Sequence, residues 1–199
     1  MIIDVHHHII PSFPDTATLA AHAEFYYKAY GPGGRSERVG VSLEEVKRRF
    51  RSCSPDPDGD KLRQRMAEAG IDLTLMCLTD NVQSVPDDSV ALAANRALAE
   101  FASHGKGKVI ALAGIDPRRK EAPDLYRRCV EEYGMRGLKW HPDFGFYPNS
   151  EEAHAMLRVA EQLGTPLLTH TGPLPGLASG VRPRARYAYV GLLDEVAQD

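Results

Sequence analysis

The chain lacks most of the features that mark membrane proteins, disulfide-stabilised proteins and nucleic-acid-binding proteins. None of its apolar runs approaches the roughly 20 residues of a membrane-spanning helix. The first residues do not show the pattern of a signal peptide, a charged segment followed by a cleavable apolar stretch. It has only 3 cysteines, widely spaced, which favours reduced thiols over a disulfide framework. Its formal net charge of -3 provides no basic surface for nucleic acid. We therefore expect a cytoplasmic protein that binds neither a membrane nor a nucleic acid.

The chain does contain short apolar runs that alternate with amphipathic stretches. The apolar runs predict five strands, at about 2–8, 71–79, 109–115, 136–141 and 166–170. Such alternation is typical of consecutive βαβ units and a parallel sheet. The nearly continuous Val, Ile and Leu content of these runs indicates strands that are covered on both faces. With 199 residues, 43% of them hydrophobic, the chain is long enough for one domain with a substantial core.

Residues 9–58 form a long insertion directly after the first predicted strand. The segment is rich in Pro, Gly and Tyr, and connections of this length are usually functional or disordered. Its aromatic residues include Phe13, Tyr26, Tyr27 and Tyr30. One hypothesis is a lid whose aromatic side chains wall a substrate pocket; the other is a surface excursion with its own small cluster.

Several local patterns predict where helices begin and end. Residues 42–45 and 149–152 both match a capping box, with Ser42 and Asn149 as the N-caps. Asp116 followed by Pro117 predicts a helix entry, with Asp116 as the cap. Glycines that follow helical stretches and precede strands predict helix ends at Gly70, Gly134 and Gly164.

The first strand carries two histidines that point to metal binding. His6 and His8 are two residues apart, so on a strand they share one face, and Asp4 has the same parity. Side by side, both imidazoles can hold one divalent metal at about 2.0–2.1 Å. A pair of buried core histidines is the simpler interpretation, although imidazoles on a buried face are costly without a partner. A purification tag would be longer and would not lie inside a strand-forming run.

Other polar side chains end the later strands, where the active site of a (β/α) barrel lies. Asn81 follows the second strand, Lys139 and His141 end the fourth, and His170 ends the fifth. His6, His8 and His170 would together form a three-imidazole site, which suits zinc and other borderline metals. Lys139 shares parity with His141, and an ammonium beside a cation is strongly disfavoured. It would be neutral, paired with an acid or chemically modified, unless the strand is placed one residue out and Lys139 faces solvent.

Five segments, IIDVHHH, AGIDLTLMCL, VIALAGIDPRR, GLKWHP and TPLLTHTG, together resemble the amidohydrolase-related metal-dependent hydrolases of the amidohydrolase superfamily. The similarity runs in order over nearly the whole chain. It implies an α/β fold, a partial TIM-type (β/α) barrel of about five parallel strands with flanking helices, in one domain of residues 1–199. Few residues follow His170, and a closed barrel usually needs about 250, so the resemblance leads us to expect a chain truncated after the fifth strand.

The resemblance implies that His6, His8 and His170 ligate a divalent metal, most often zinc. Lys139 matches the position of a lysine that is carboxylated in two-metal members, which predicts one ion, or two if Lys139 carries that group. We expect hydrolysis of an amide, ester or lactone of a small organic substrate by a metal-activated water. Lys139 and His141 are the candidate catalytic residues.

Substrate contacts are predicted at Asn81, His141 and Arg182, the last by bidentate pairing with a carboxylate. A solvated loop face is the alternative for Arg182. The alternative reaction is nonoxidative decarboxylation, and a third hypothesis is a non-catalytic metal-binding fragment. Because an open five-stranded sheet exposes its edges, we also expect a homo-oligomer or a complementing chain.

Overall fold

Five parallel strands form one sheet, in the order in which they occur along the chain. In this computed structural model, residues 1–8, 23–24, 27, 41–53, 56–172 and 185–197 are described. The strands are β1 Ile3–His7, β2 Leu73–Cys77, β3 Val109–Gly114, β4 Leu138–Trp140 and β5 Leu167–Thr169. Each predicted strand is confirmed, one to four residues shorter than expected. The fold is therefore the predicted partial TIM-type (β/α) barrel.

Helices lie in the connections between these strands and after β5. They are α1 Leu43–Cys53, α2 Asp60–Ala69, α3 Asp88–Ser103, α4 Ala122–Glu131, α5 Glu151–Gln162 and α6 Leu192–Val196. Short 3₁₀ turns cover Pro142–Phe144 and Ala185–Ala188. Helix α1 lies within the 9–58 insertion, and most of the remaining insertion, including the lid aromatics Phe13, Tyr26 and Tyr30, lies outside the described residues.

The three predicted helix ends at glycines are confirmed. Gly70, Gly134 and Gly164 all adopt the left-handed conformation that ends a helix, with φ of 67°, 71° and 63°.

Two predicted helix starts, at Asn149 and Asp116, are wrong. Ser150, and not Asn149, caps α5, since its hydroxyl accepts the Ala153 N–H at 3.3 Å. Asp116 accepts the Arg118 N–H at 3.0 Å, but the chain makes only a turn there and α4 begins at Ala122. A backbone turn satisfied by a carboxylate does not have to propagate into a helix.

The main core lies between the sheet and helices α3, α4 and α5. Its fully buried members include Met76, Tyr126, Leu138, Trp140 and Met156. All three β4 residues are buried, as expected for a strand covered on both faces. The Trp140 indole N–H donates to the Ile115 carbonyl at 3.1 Å, so the large ring leaves no buried donor unpaired. Core packing thus fixes the carboxyl ends of β3 and β4 relative to each other.

A buried ion-pair network joins the loops that follow β2 and β3. The Arg119 guanidinium, whose side chain is fully buried, donates to both Asp80 carboxylate oxygens at 2.7 Å and to Asp88 at 2.6 Å. Asp80 also accepts the Asp116 N–H at 2.7 Å. These contacts fix the position of the loop that carries Asn81.

Candidate metal centre

The structure brings histidines from three strands to the carboxyl-terminal edge of the sheet. His6 lies in β1 and His8 follows it, while His141 and His170 follow β4 and β5 directly. The β4–β5 register aligns Trp140 with Thr169, so the next residue of each strand is also adjacent. Consequently the His141 and His170 rings stack, with centroids 4.6 Å apart and planes 18° from parallel.

His6 and His8 meet as the sequence predicts. Their Nε2 atoms are 2.9 Å apart, and the rings lie edge to face. His8 Nδ1 lies 2.9 Å from the Cys77 carbonyl oxygen, which can only accept. Nδ1 therefore carries the proton in the neutral ring, which leaves the His8 Nε2 lone pair free to ligate an ion.

Asp4 does not share the face of these two imidazoles as strict alternation predicts. The β1–β2 register shifts between Asp4 and His7, and the Asp4 carboxylate lies 3.3 Å from His7 Nδ1. It also accepts the His6 N–H and the Thr74 hydroxyl, both at 3.2 Å. An irregularity in a strand changes which side chains are neighbours. Asp4 thus holds the backbone of β1 at His6 in place through this hydrogen bond.

A second group forms where β4 and β5 end. His141, Asp143 and His170 each offer a ligand atom, and these atoms all lie within 4.8 Å of one another. His141 Nδ1 is 3.4 Å from Asp143 Oδ1, and both side chains are almost fully buried. Among the described residues, His6 and His8 fall outside this group. His170 lies with the β4 pair, and it also lies close enough to His6 to lower the pKa of that ring.

Lys139 is buried in β4, 1% exposed, and does not face solvent. Its ammonium nitrogen has no hydrogen-bond partner among the described residues. Burial lowers its pKa, which the nearby Cys77 and Asp143 partly oppose. The alternative strand register, in which Lys139 faces solvent, is wrong, since Lys139 is buried close enough to lower the pKa values of all four imidazoles.

The imidazoles are held in their neutral form at pH 7. Burial is the main cause for each of them, and it lowers the pKa of His8 and of His141 to about 4. Burial also lowers the pKa values of His6 and His170, with the Lys139 charge adding to the effect. Neutral imidazole is the form that ligates metals.

Of the predicted substrate contacts, the structure describes two. Asn81 is buried beside the Asp80–Arg119 network, and its Nδ2 has no partner among the described residues. His141 also has an Nε2 atom without a partner in that part of the chain. Arg182 lies outside the described residues.

Asp143 is the site residue that the sequence analysis missed. It follows His141 by two residues, and the Pro142–Phe144 turn brings the two side chains together. The sequence does contain a signal for Asp143: a histidine and a carboxylate lie two residues apart just beyond the end of a strand.

The residues fit a divalent metal. Among the described residues, Lys139 Nζ and His141 Nε2 have no hydrogen-bond partner, the rings are neutral, and the buried Asp143 carboxylate lies close to both residues. A nitrogen-rich set with one carboxylate suits zinc and other first-row divalent metals.

Five parallel strands with this site at their carboxyl ends define the class as a metal-binding protein with a partial TIM-type barrel. Residues 3–199 match the family model described as Amidohydrolase, so the chain belongs to the amidohydrolase family. No curated protein matches the chain. Among the described residues, no helix combines the length and apolar character needed to cross a bilayer.

Several solved structures share the fold. One is 5-carboxyvanillate decarboxylase from Novosphingobium aromaticivorans with manganese and 4-hydroxy-3-methoxy-5-nitrobenzoic acid (TM-score 0.62, 18% identity, covering 93% of this chain and 56% of that chain). A second is dihydroxybenzoic acid decarboxylase from a Polaromonas species with manganese and 2-nitroresorcinol (TM-score 0.59, 19% identity, 87% and 50%). A third is 4-oxalomesaconate hydratase from Rhodopseudomonas palustris (TM-score 0.51, 19% identity, 85% and 52%).

These likenesses establish the fold, and the chain spans about half the length of each of the three structures. The family match and the manganese in two neighbours support a divalent metal as the cofactor. They do not single out zinc.

Proposed function

We propose that this protein is a metal-dependent enzyme that decarboxylates a small aromatic or unsaturated carboxylic acid. The observation that carries the proposal is the buried Lys139 ammonium, which lacks an anionic hydrogen-bond partner in the described structure and lies among neutral imidazoles. The Asp143 carboxylate lies near enough to raise the Lys139 pKa, but within the described residues no carboxylate hydrogen-bonds the ammonium, and a buried ammonium of this kind favours an anionic ligand. The decarboxylases among the neighbours act on carboxylic acids, which is consistent with this substrate class.

His6, His8 and His170 would hold the metal, with Lys139 as a further ligand if it is carboxylated. The bound ion would supply Lewis acidity at a substrate oxygen. The donor set suits zinc, whereas two neighbours hold manganese, so both metals belong in the assay.

The reaction exchanges a carboxylate for a proton on the same carbon. When the carbon–carbon bond breaks, its electron pair stays on the substrate carbon, which then needs a proton. Lys139 Nζ is suited to deliver it, because its lowered pKa makes the ammonium a stronger acid. Asn81 Nδ2 and His141 Nε2, both without described partners, would orient the substrate.

Hydrolysis of an amide, ester or lactone is the second candidate, favoured by the His141–Asp143 pair. A carboxylate 3.4 Å from Nδ1 can orient an imidazole whose other nitrogen would accept a proton from water. A general base with a pKa of about 4 is weak at pH 7, which makes this reaction the less favoured one.

We also propose that residues 1–199 act as one domain in the cytoplasm, and that a second copy or a complementing chain covers the sheet edges. Ile3 and Val5 of the edge strand β1 are 42% and 53% exposed, which supports such a partner. The mass in solution, measured by light scattering, tests this part of the proposal.

The test is turnover by the purified chain loaded with zinc or manganese. Hydroxybenzoates and unsaturated diacids are assayed for CO₂ release, and esters, lactones and amides for hydrolysis. We expect CO₂ release that His170→Ala abolishes and that the matched control His104→Ala, on the exposed end of α3, leaves unchanged. Hydrolysis without CO₂ release would contradict the decarboxylase proposal. Metal binding without any turnover would favour a non-catalytic metal-binding protein.

A further inference from the structure

The turn after β4 places a carboxylate where the sequence predicts only histidines. Pro142–Phe144 forms one 3₁₀ turn, in which the Phe144 N–H donates to the His141 carbonyl at 3.1 Å. The next residue, Gly145, closes the turn with φ of 117°, a conformation that favours glycine. The turn folds Asp143 back beside His141, with both side chains inside the protein.

The separations match ligands that share one ion. Two ligands at about 2.1 Å from a tetrahedral ion are about 3.4 Å apart. The His141 Nδ1 to Asp143 Oδ1 separation is 3.4 Å, and all three ligand atoms, including that of His170, lie within 4.8 Å.

The donor types in the group also suit a cation. The Asp143 carboxylate is 0% exposed, and Lys139, His141 and His170 are among the titratable side chains that lie near it. A carboxylate and two imidazoles are ligands that zinc and other first-row divalent ions take in proteins. Three such donors meet where β4 and β5 end, which suits one divalent ion.

We infer that Asp143 and His141, together with His170, bind a divalent cation, so that the metal centre extends from the predicted histidines to the turn after β4. This inference rests on the proposed function only in that both require a divalent metal. It assigns Asp143 as a ligand and gives His141 a ligand role in addition to the predicted substrate contact.

Metal affinity of the purified full chain tests the assignment. Zinc affinity is measured by competition with a chromophoric chelator, and ligand geometry by the visible absorption of bound Co²⁺. We expect Asp143→Asn to weaken zinc binding at least about 100-fold, since even outer ligand partners change affinity by about 10–100-fold. The exposed carboxylate control Asp194→Asn should bind like the wild type. Wild-type affinity and an unchanged Co²⁺ spectrum in Asp143→Asn would overturn the inference.

A measurement on the wild type covers the case in which Asp143→Asn does not fold. In ¹⁵N-histidine-labelled chain titrated with zinc, the ring nitrogens of His141 and His170 should shift together at stoichiometric metal. Shifts confined to His6 and His8, or no zinc binding, would overturn the inference. If zinc binding depends on Asp143 but no CO₂ is released, the ligand assignment stands and the decarboxylase proposal fails.

Discussion

The neutral state of His141 predicts that the metal-free protein loses stability in mild acid. The ordinary pKa of 6.5 applies to the unfolded chain, and burial lowers the pKa to about 4 in the folded chain. Between these values the unfolded chain binds more protons, so stability falls as the pH drops from 6.5 towards 4. At pH 5 the loss attributable to His141 is about 2 kcal/mol.

The contribution of His141 is measured by urea denaturation at pH 7 and pH 5 in the presence of EDTA. The wild type is compared with His141→Gln, whose side chain cannot titrate. The wild type should lose about 2 kcal/mol more than the variant, or about 4–8 °C in Tm. His104→Gln, altered at an exposed position, should follow the wild type at both pH values. If the stability difference between the wild type and His141→Gln is the same at pH 7 and pH 5, the histidine is not held neutral by burial and the reasoning is refuted.

Three substitutions test the elements that position the site. Arg119→Met should destabilise the fold by about 3–5 kcal/mol, because it leaves the buried Asp80 carboxylate without its ion pair; a loss under 1 kcal/mol in urea denaturation would contradict this. Gly114→Ala should cost about 1–3 kcal/mol, since its Cβ would lie 2.4 Å from the Leu78 carbonyl oxygen; an unchanged Tm would disprove that contact. Asp4→Ala should weaken zinc binding about 10–100-fold by releasing the His6 backbone, whereas Asp4→Asn, which keeps an acceptor oxygen, should restore most of it; equal affinities in both variants would exclude this role.

Much of the fold could be predicted because its signals are local. Continuous apolar runs located all five strands, and glycines after amphipathic stretches located the helix ends at Gly70, Gly134 and Gly164. The predicted strand ends were less accurate, since hydrogen bonding to the neighbouring strands decides where each strand stops. The false helix start at Asp116 has a similar cause, because its carboxylate makes a tertiary contact, accepting the Val82 N–H at 3.1 Å.

The candidate site was predictable where it depends on strand alternation and not where it depends on irregular backbone. Alternation brought His6 and His8 together, and it directed Lys139 inward with His141. The register shift in β1 moved Asp4 to His7, and no sequence pattern marks such a shift. The turn that brings Asp143 to His141 is likewise a tertiary feature, set by how β4 ends.

X-ray absorption spectroscopy of the zinc-loaded chain tests the central claim most directly, which is that neutral imidazoles at the strand ends hold a divalent cation. We predict zinc that survives desalting, with nitrogen ligands at about 2.0–2.1 Å and the multiple scattering of at least two imidazoles. Zinc lost on desalting, or a ligand sphere made only of oxygen atoms, would contradict the account.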